Sequence, residues 1–256
     1  MRIVSWNVNG IRACWESSLR EYLDQEKPEI VLFQEVKSQL SGLPPEIACP
    51  SDYQAFWHCG GRPGYSGVGA YVSRDLGPPL WLVKGLGVPE IDAEGRVLTL
   101  ELEDFFLVTA YFPNSGAGGR RLQFKTEFCR LMELFCRGLR DRKKGVILTG
   151  DFNIAPSKLD LYSVSANHGE PGTLPREKNW MNEMTAAGWV DVFRRDRPGE
   201  SGHYSWWSFF DEDRAHNRGW RIDHALASAD LAPRLQAELR PDVFGSDHCP
   251  LVTTFN

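Results

Sequence analysis

No apolar run in this chain approaches the roughly 20 residues needed to cross a bilayer. The N-terminus enters an apolar strand-like run with no basic-then-apolar leader, so neither membrane insertion nor secretion is expected. A start this close to the first polar tract is also expected to leave no room for a regulatory extension. The six cysteines form no CxxC pair and show no zinc-like spacing with histidine. Cys14, Cys49, Cys59, Cys129, Cys136 and Cys249 therefore read as small buried hydrophobes in a reducing compartment. No Gly/Ser/Pro-rich stretch longer than a turn divides the 256 residues, and no low-complexity segment is present. A single domain over 1–256 is expected. An excess of positive charge is lacking too: the formal net charge is −5, which by itself argues against a nucleic-acid binder.

Three short polar tracts stand out against this background: SWNVNG at 5–10, GDFN at 150–153 and GSDHCP at 245–250. Each adjoins an apolar run, Ile3-Val4, Val146-Ile147-Leu148 and Leu251-Val252 respectively. Residues at strand ends can converge on one sheet edge from far apart in the chain. Here the convergence would assemble two carboxylates, three carboxamides and an imidazole. Such a set binds a hard cation, holds an anionic phosphate and moves a proton. Hydride transfer and chemistry needing an organic cofactor fit it poorly. Three further runs join the pattern. The run 30–33 ends in Gln34-Glu35, 105–110 ends in Tyr111-Phe112-Pro113-Asn114, and 219–224 (GWRIDH) leads into Ala225-Leu226-Ala227.

Strand-like runs fall at 2–6, 29–34, 53–58, 68–73, 81–84, 97–102 and 105–111, then at 146–149, 204–207, 222–227, 237–239 and 250–255. Helical patterns cover 17–25, 121–140 and 177–187, the last closed by Gly188. Many strands with few helices suit neither an alternating βαβ sheet nor a helix bundle. Two sheets packed face to face with helices outside bury this pattern most economically. A weak internal echo, Ile3-Val4 leading to Asn7 and Val146–Leu148 leading to Asp151 and Asn153, suggests that two halves supply one site.

Glu35 follows an uncharged strand, which places it at the mouth of such a site or makes it a solvated strand end. Mg²⁺ takes oxygen ligands and needs only one or two carboxylates. Glu35 and Asp247 can supply them, with Asn9 or Asn7 nearby. Asp151 and Asn153 share one turn and either cap their own backbone as an Asx-turn or face the sheet edge together. Asn9-Gly10 can equally be a plain turn. A carboxylate from Asp223 beside His248 would fix the imidazole tautomer and favour its charged form. Trp206, Trp207, Phe209 and Trp220 are either core or flat walls for a sugar that carries no base. Basic residues cluster at Arg120-Arg121-Lys125, Arg194-Arg195-Arg197 and Arg214-Arg218-Arg221, where they can contact backbone phosphates. The run from Arg137 to Lys144 reads as the solvated C-terminal end of a helix.

In this order and spacing the six tracts resemble the exonuclease III / AP endonuclease family of the deoxyribonuclease I-like phosphoesterases, over essentially the whole chain. The resemblance implies an α+β fold, a four-layered αββα sandwich of two packed mixed β-sheets with outer helices. It implies a Mg²⁺-dependent phosphodiesterase, with Mn²⁺ as a substitute, that cuts double-stranded DNA 5′ to abasic sites and acts on 3′-blocked ends. Such a protein would be a monomer in a prokaryote-like cytoplasm, working at the nucleoid. Asp151 and Asn153 would hold the attacking water or leaving oxygen and the phosphate. Tyr111 and Asn7 would face the phosphate, Asp223 and His248 would pair, and Asp247 would be a further catalytic or metal-linked carboxylate. Glu35, with Asn9, Asn7 and Asp247, would make the metal site, and many relatives carry Asp where this chain has Asn9. Trp206 and Trp220 would wall the abasic-sugar pocket, and Arg121 and Arg218 would contact DNA. The alternatives are a same-fold inositol-phosphate or lipid phosphoesterase, or an inactive DNA-binding relative.

Overall fold

The computed structural model describes residues 1–209 and 212–256. Its strands run in chain order as β1 (Arg2–Asn7), β2 (Ile30–Gln34), β3 (Tyr53–His58), β4 (Val68–Ser73), β5 (Trp81–Lys84), β6 (Val97–Glu101) and β7 (Phe105–Tyr111). The second half adds β8 (Gly145–Asp151), β9 (Trp189–Asp191), β10 (Trp206–Trp207), β11 (Gly219–Trp220), β12 (Asp223–Ser228), β13 (Leu235–Leu239) and β14 (Leu251–Phe255). Two six-stranded mixed sheets result, ordered β13-β14-β1-β2-β4-β3 and β5-β6-β7-β8-β12-β9, with β10-β11 as a separate hairpin.

Strand alternation explains why the buried runs are continuously apolar. In β2, Ile30 and Leu32 face the second sheet, where they join Leu98, Leu107, Ile147 and Ala225 in one core. Val31 and Phe33 face the other way and pack under the helical segment near Tyr22 and Leu23. In β8, Ile147 enters the inter-sheet core. Its neighbours Val146 and Leu148 pack against Phe128, Met132 and Trp180 of the helices Leu122–Asp141 and Pro175–Ala186. Each such side chain contributes about 1.5–3 kcal/mol on burial. This is the four-layered αββα arrangement, and it leaves no polar face on the central strands.

Local differences from the sequence reading have plain causes. The first helical segment extends from Ile11 to Glu26 through a π-helical turn at Trp15–Leu19, where the expected pattern began at 17. The strand β9 and the short helix Val192–Asp196 were not foreseen, being too short to show a period. The strand expected at 204–207 shrinks to β10, while Ser205 N–H donates to the Trp220 carbonyl and the Ser205 carbonyl accepts the N–H of Cys249. Cys49 is exposed and Cys59 half-buried, against the expectation of six buried thiols, while Cys14, Cys129, Cys136 and Cys249 are buried.

Strand register is what builds one edge from distant tracts. β1 and β2 run parallel and bring Asn7 level with Gln34, one residue before Glu35. β7 and β8 run parallel and set Tyr111 beside Asp151. β12 runs antiparallel to β8 and sets Asp223 on the other side of Asp151. The two sheets meet through buried polar bonds at this end. Gln34 Nε2 donates to Ser5 Oγ and, across the interface, to Thr109 Oγ1, each at 3.0 Å.

Candidate active site

A cleft of about 540 Å³ opens at that edge. It is lined by the polar residues Glu35, Tyr111, Asn114, Asp151, Asn153, Asp247 and His248, and by Pro171, Trp206, Trp220 and Ile222. The backbone around it is held in an uncommon conformation. Asn9, Glu35, Lys37 and Asn153 all adopt left-handed φ values of 45, 52, 53 and 50°. A non-glycine residue there costs about 1 kcal/mol or more, and persists only where neighbours over-determine it. Gly150, at φ 139°, is required by packing, because a Cβ would collide with the Ala110 carbonyl on β7.

Asp151 lies at the centre and is 1% exposed. Its Oδ1 accepts the backbone N–H of Asn153 at 2.8 Å. Its Oδ2 accepts Asn7 Nδ2 at 2.9 Å and Asn153 Nδ2 at 3.2 Å. Burial is the larger influence and pushes its pKa up to about 7, helped by Asp223 and Glu35 and opposed by His248. His248 Nδ1 lies 2.8 Å from Asp223 Oδ2, and its Nε2 lies 3.9 Å from Asp151 Oδ2. Burial opposes the imidazolium, but the Asp223 carboxylate outweighs it and, with Asp151 and Asp247, lifts the His248 pKa to about 10. Asp223 is itself held by backbone: Ser205 Oγ accepts the N–H groups of Ile222 and Asp223, each at 3.0 Å.

Glu35 receives Asn7 Nδ2 on Oε1 at 2.9 Å and pairs through Oε2 with Lys37 Nζ at 2.7 Å. Burial would raise its pKa, but Lys37, Asn7 and His248 together lower it. Tyr111 is pushed well above the ordinary phenol value, first by burial and then by Glu35 and Asp151, so it remains a donor. Among the described residues, atoms of Glu35, Asp151 and His248 lie within 4.8 Å of one another. A protonated imidazole cannot ligate a cation, which leaves oxygens of Glu35 and Asp151. Two carboxylates with room for water fit a hard divalent ion.

Asn7 departs from its expected place as an oxygen ligand. Its Nδ2 bridges Glu35 and Asp151, and its Oδ1 accepts the backbone N–H of Asn9 at 3.0 Å. The oxygen of Asn9 is likewise taken, by Lys37 Nζ. Asp247 lines the cleft outside the tight cluster. Its Oδ2 accepts Trp206 Nε1 at 3.0 Å and its Oδ1 accepts Ser246 Oγ at 3.2 Å. Trp206 and Trp220 face each other across the β10-β11 hairpin, edge to face at 5.9 Å, and both line the cleft. Gly219 makes that hairpin possible, because a Cβ there would strike Trp207 Nε1 at 2.5 Å. Trp207 itself is core, packed on Tyr204 and Cys249, whereas Phe209 is 73% exposed.

Most of the expected phosphate-binding cations are committed elsewhere. Arg121 donates to Tyr65 Oη and pairs with Glu94 at 2.7 Å, away from the cleft lining. Arg218 pairs with Asp213 at 2.9 Å. Arg195 binds Asp196 and the carbonyls of Ala232 and Leu235. Lys125 and Arg221 are each 1% exposed and ion-paired, to Glu177 and to Asp160 and Asp191. Sequence alone shows a charge but not the carboxylate folded against it. Lys37 carries no signal in the sequence, and Asn114 stands there only as the end of a tract with no role attached. The first stands two residues after Glu35, and the second donates to Asn153 Oδ1 at 3.0 Å.

A sequence profile of the Endonuclease/Exonuclease/phosphatase family matches residues 4–248. A Bacillus subtilis (strain 168) protein named exodeoxyribonuclease is 38% identical over 258 aligned positions, covering 100% of both chains. DNA repair nuclease APEX1 of Danio rerio is 35% identical, covering 98% of this chain and 81% of its own. Among solved structures, the AP endonuclease LMAP from Leishmania major superposes with a TM-score of 0.89 at 28% identity, covering 98% of this chain and 86% of that one. With a catalytic edge assembled from the same six tracts, the chain belongs to the endonuclease/exonuclease/phosphatase family, among its exonuclease III and AP endonuclease hydrolases.

Proposed function

We propose that this protein is a single-domain, Mg²⁺-dependent repair nuclease that cuts duplex DNA on the 5′ side of abasic sites. It leaves a 3′-hydroxyl, and the same centre trims 3′-blocked ends. The observation that carries this reading is Asp151. A buried carboxylate with its pKa near 7 sits 3.9 Å from an imidazolium that Asp223 holds in place. A general base works best with a pKa near the operating pH.

In this reading ionised Asp151 takes the proton of the attacking water. The proton on His248 Nε2 and the phenol of Tyr111 face the cleft and donate to phosphate oxygens as charge grows on them. Asn153, held by Asn114, donates from its backbone and side-chain N–H groups to Asp151 and so fixes that carboxylate beside the phosphate. Glu35 would hold Mg²⁺ with Asp151 beside it, and the ion would supply positive charge to the phosphate and leaving oxygen. Trp206, Trp220 and Ile222 make an apolar wall that offers a base no hydrogen-bonding partner. An extruded abasic sugar avoids the unpairing cost that a normal nucleotide bears. Names borne by the relatives, exodeoxyribonuclease and DNA repair nuclease, support the same substrate class.

The test is a duplex bearing one tetrahydrofuran abasic analogue, incubated with the protein and Mg²⁺. A nick whose 3′ end a polymerase extends is expected, with none in EDTA. An intact duplex would overturn the reading.

A further inference from the structure

Behind the cleft lies a buried ion pair with no part in the proton and phosphate chemistry described above. Lys125, on the helix Leu122–Asp141, and Glu177, on the helix Pro175–Ala186, pair at 3.0 Å with both side chains 1% exposed. Their other side-chain bonds run to the turn of Asn153, to the segment 172–174 that opens the second helix, and to Ser115. Lys125 Nζ donates to the Asn153 carbonyl at 2.6 Å. Glu177 Oε2 accepts the backbone N–H groups of Gly172 at 2.8 Å and Leu174 at 2.9 Å. Its Oε1 accepts Ser115 Oγ, four residues beyond Tyr111.

These bonds close a loop of contacts. Ala155 N–H donates to the Gly172 carbonyl at 2.9 Å, so the turn carrying Asn153 and the segment ending the cleft wall are joined twice. Gly172, at φ 94°, sits so close that a Cβ would lie 3.0 Å from the Asn153 carbonyl and 3.2 Å from the Trp220 ring. The wall residues Ala166, Asn167, Glu170 and Pro171 precede it and line the same cleft as Asn153, Trp206 and Trp220. The pair thus ties the phosphate-side turn, the wall and the strand end of Tyr111 to two helices. Burying two charges is costly, and apolar replacements often serve stability as well. A role in geometry accounts for charges that stability alone does not require.

We propose that Lys125 and Glu177 are positioning residues that set the width of the cleft between Asn153 and the 166–172 wall. Through that width they decide how strongly a base-bearing nucleotide is excluded relative to an abasic sugar. This rests on the nuclease function proposed above and assigns it a selectivity device outside the cleft.

The experiment compares the full chain with Lys125→Met, Lys125→Arg and the double variant Lys125→Met/Glu177→Gln. For each, kcat and KM are measured on the tetrahydrofuran duplex and on an undamaged duplex with a recessed 3′ end. Amide hydrogen exchange at Gly172 and Leu174 reports the wall without any substrate. In the double variant, kcat on the abasic duplex should fall about tenfold or more with KM within about threefold. The ratio of undamaged 3′-end removal to abasic cleavage should rise about fivefold or more. Exchange at Gly172 and Leu174 should quicken, and Lys125→Arg should recover most of the selectivity. Equal losses on both substrates, or unchanged exchange, would overturn the proposal. If Lys125→Met does not fold, the exchange and selectivity of Lys125→Arg and Glu177→Gln decide it. A wild-type protein that cuts neither duplex refutes the nuclease function instead, and the exchange data still report on the positioning.

Discussion

His248 Nδ1 and Asp223 Oδ2 lie 2.8 Å apart, and this bond decides what the opposite ring nitrogen presents to Asp151. With Nδ1–H directed at a carboxylate and the imidazole charged, Nε2 carries a proton toward the cleft. Residues acting as such a unit lose their function together. In a double-mutant cycle of Asp223→Ala and His248→Ala on kcat, the two losses should be strongly non-additive. Fully additive losses would show two independent roles.

Asp151 and His248 make stability fall as pH rises. Asp151 shifts from 3.8 to about 7, so the folded state holds a proton that the unfolded chain has released, and stability declines between about 4 and about 7. His248 shifts from 6.5 to about 10, so its contribution is complete below about 6.5 and disappears as pH rises to about 10. Urea unfolding from pH 6.5 to 10 should show the second decline, and Asp223→Asn should flatten it. Activity needs Asp151 ionised and His248 charged, so kcat/KM should be bell-shaped, rising as Asp151 ionises and falling as His248 loses its proton. A flat profile across that range contradicts both assignments.

Asp151→Asn keeps the shape of the centre and removes its proton acceptor. Turnover should fall by about 10²–10⁴-fold, the usual share of general base catalysis. Affinity for abasic duplex should stay within several-fold, because a negative charge facing phosphate has been removed. Single-turnover rates and filter binding separate the two.

Glu35→Gln halves the carboxylate charge available to a divalent ion and leaves Lys37 without its partner. The metal concentration for half-maximal activity should rise about tenfold or more, with partial recovery in Mn²⁺. Calorimetric titration with Mn²⁺ checks the same loss without turnover. An unchanged metal curve would remove Glu35 from the site.

Trp220→Ala should lower kcat/KM on abasic duplex and relax selectivity against undamaged duplex, by about tenfold. Trp206→Phe keeps an aromatic wall but loses the N–H that Asp247 accepts at 3.0 Å, so it should retain selectivity better than Trp206→Ala. Equal depression of both substrates by Trp220→Ala would make that tryptophan core alone.

Arg221 is the counter-case to reading a basic cluster as a phosphate site. Arg221→Met takes from Asp191 its buried guanidinium partner and leaves Asp160 with Arg194 alone, and should cost about 3–5 kcal/mol. For a chain of this size that lowers the melting temperature by about 10 °C. The salt dependence of DNA binding should not change, since no phosphate contact is lost.

Much of the fold is written locally. β3, β4, β5 and β7 begin and end where alternation and apolar runs place them: β4 and β7, buried on both faces, need an unbroken apolar stretch, and β3 and β5 stand half-buried at the sheet edges. The polar tracts carrying Asn7, Glu35, Asp151, Asp223 and His248 are equally visible, since they break apolar runs at strand ends. What those tracts do to one another is not local. Only register places Tyr111 and Asp223 on either side of Asp151, and only burial among other carboxylates brings its pKa near neutrality. The fates of the cations are decided the same way. Lys125, Arg221 and Arg195 look in sequence like Arg12 or Arg62. The carboxylates and carbonyls that claim them lie tens of residues away and meet them only when the sheets and helices close. Composition and periodicity thus marked most of the strands and the polar tracts at their ends. Long-range packing alone decided which charges face the cleft and which are sealed behind it, because an ion pair has no period and leaves no mark in the sequence.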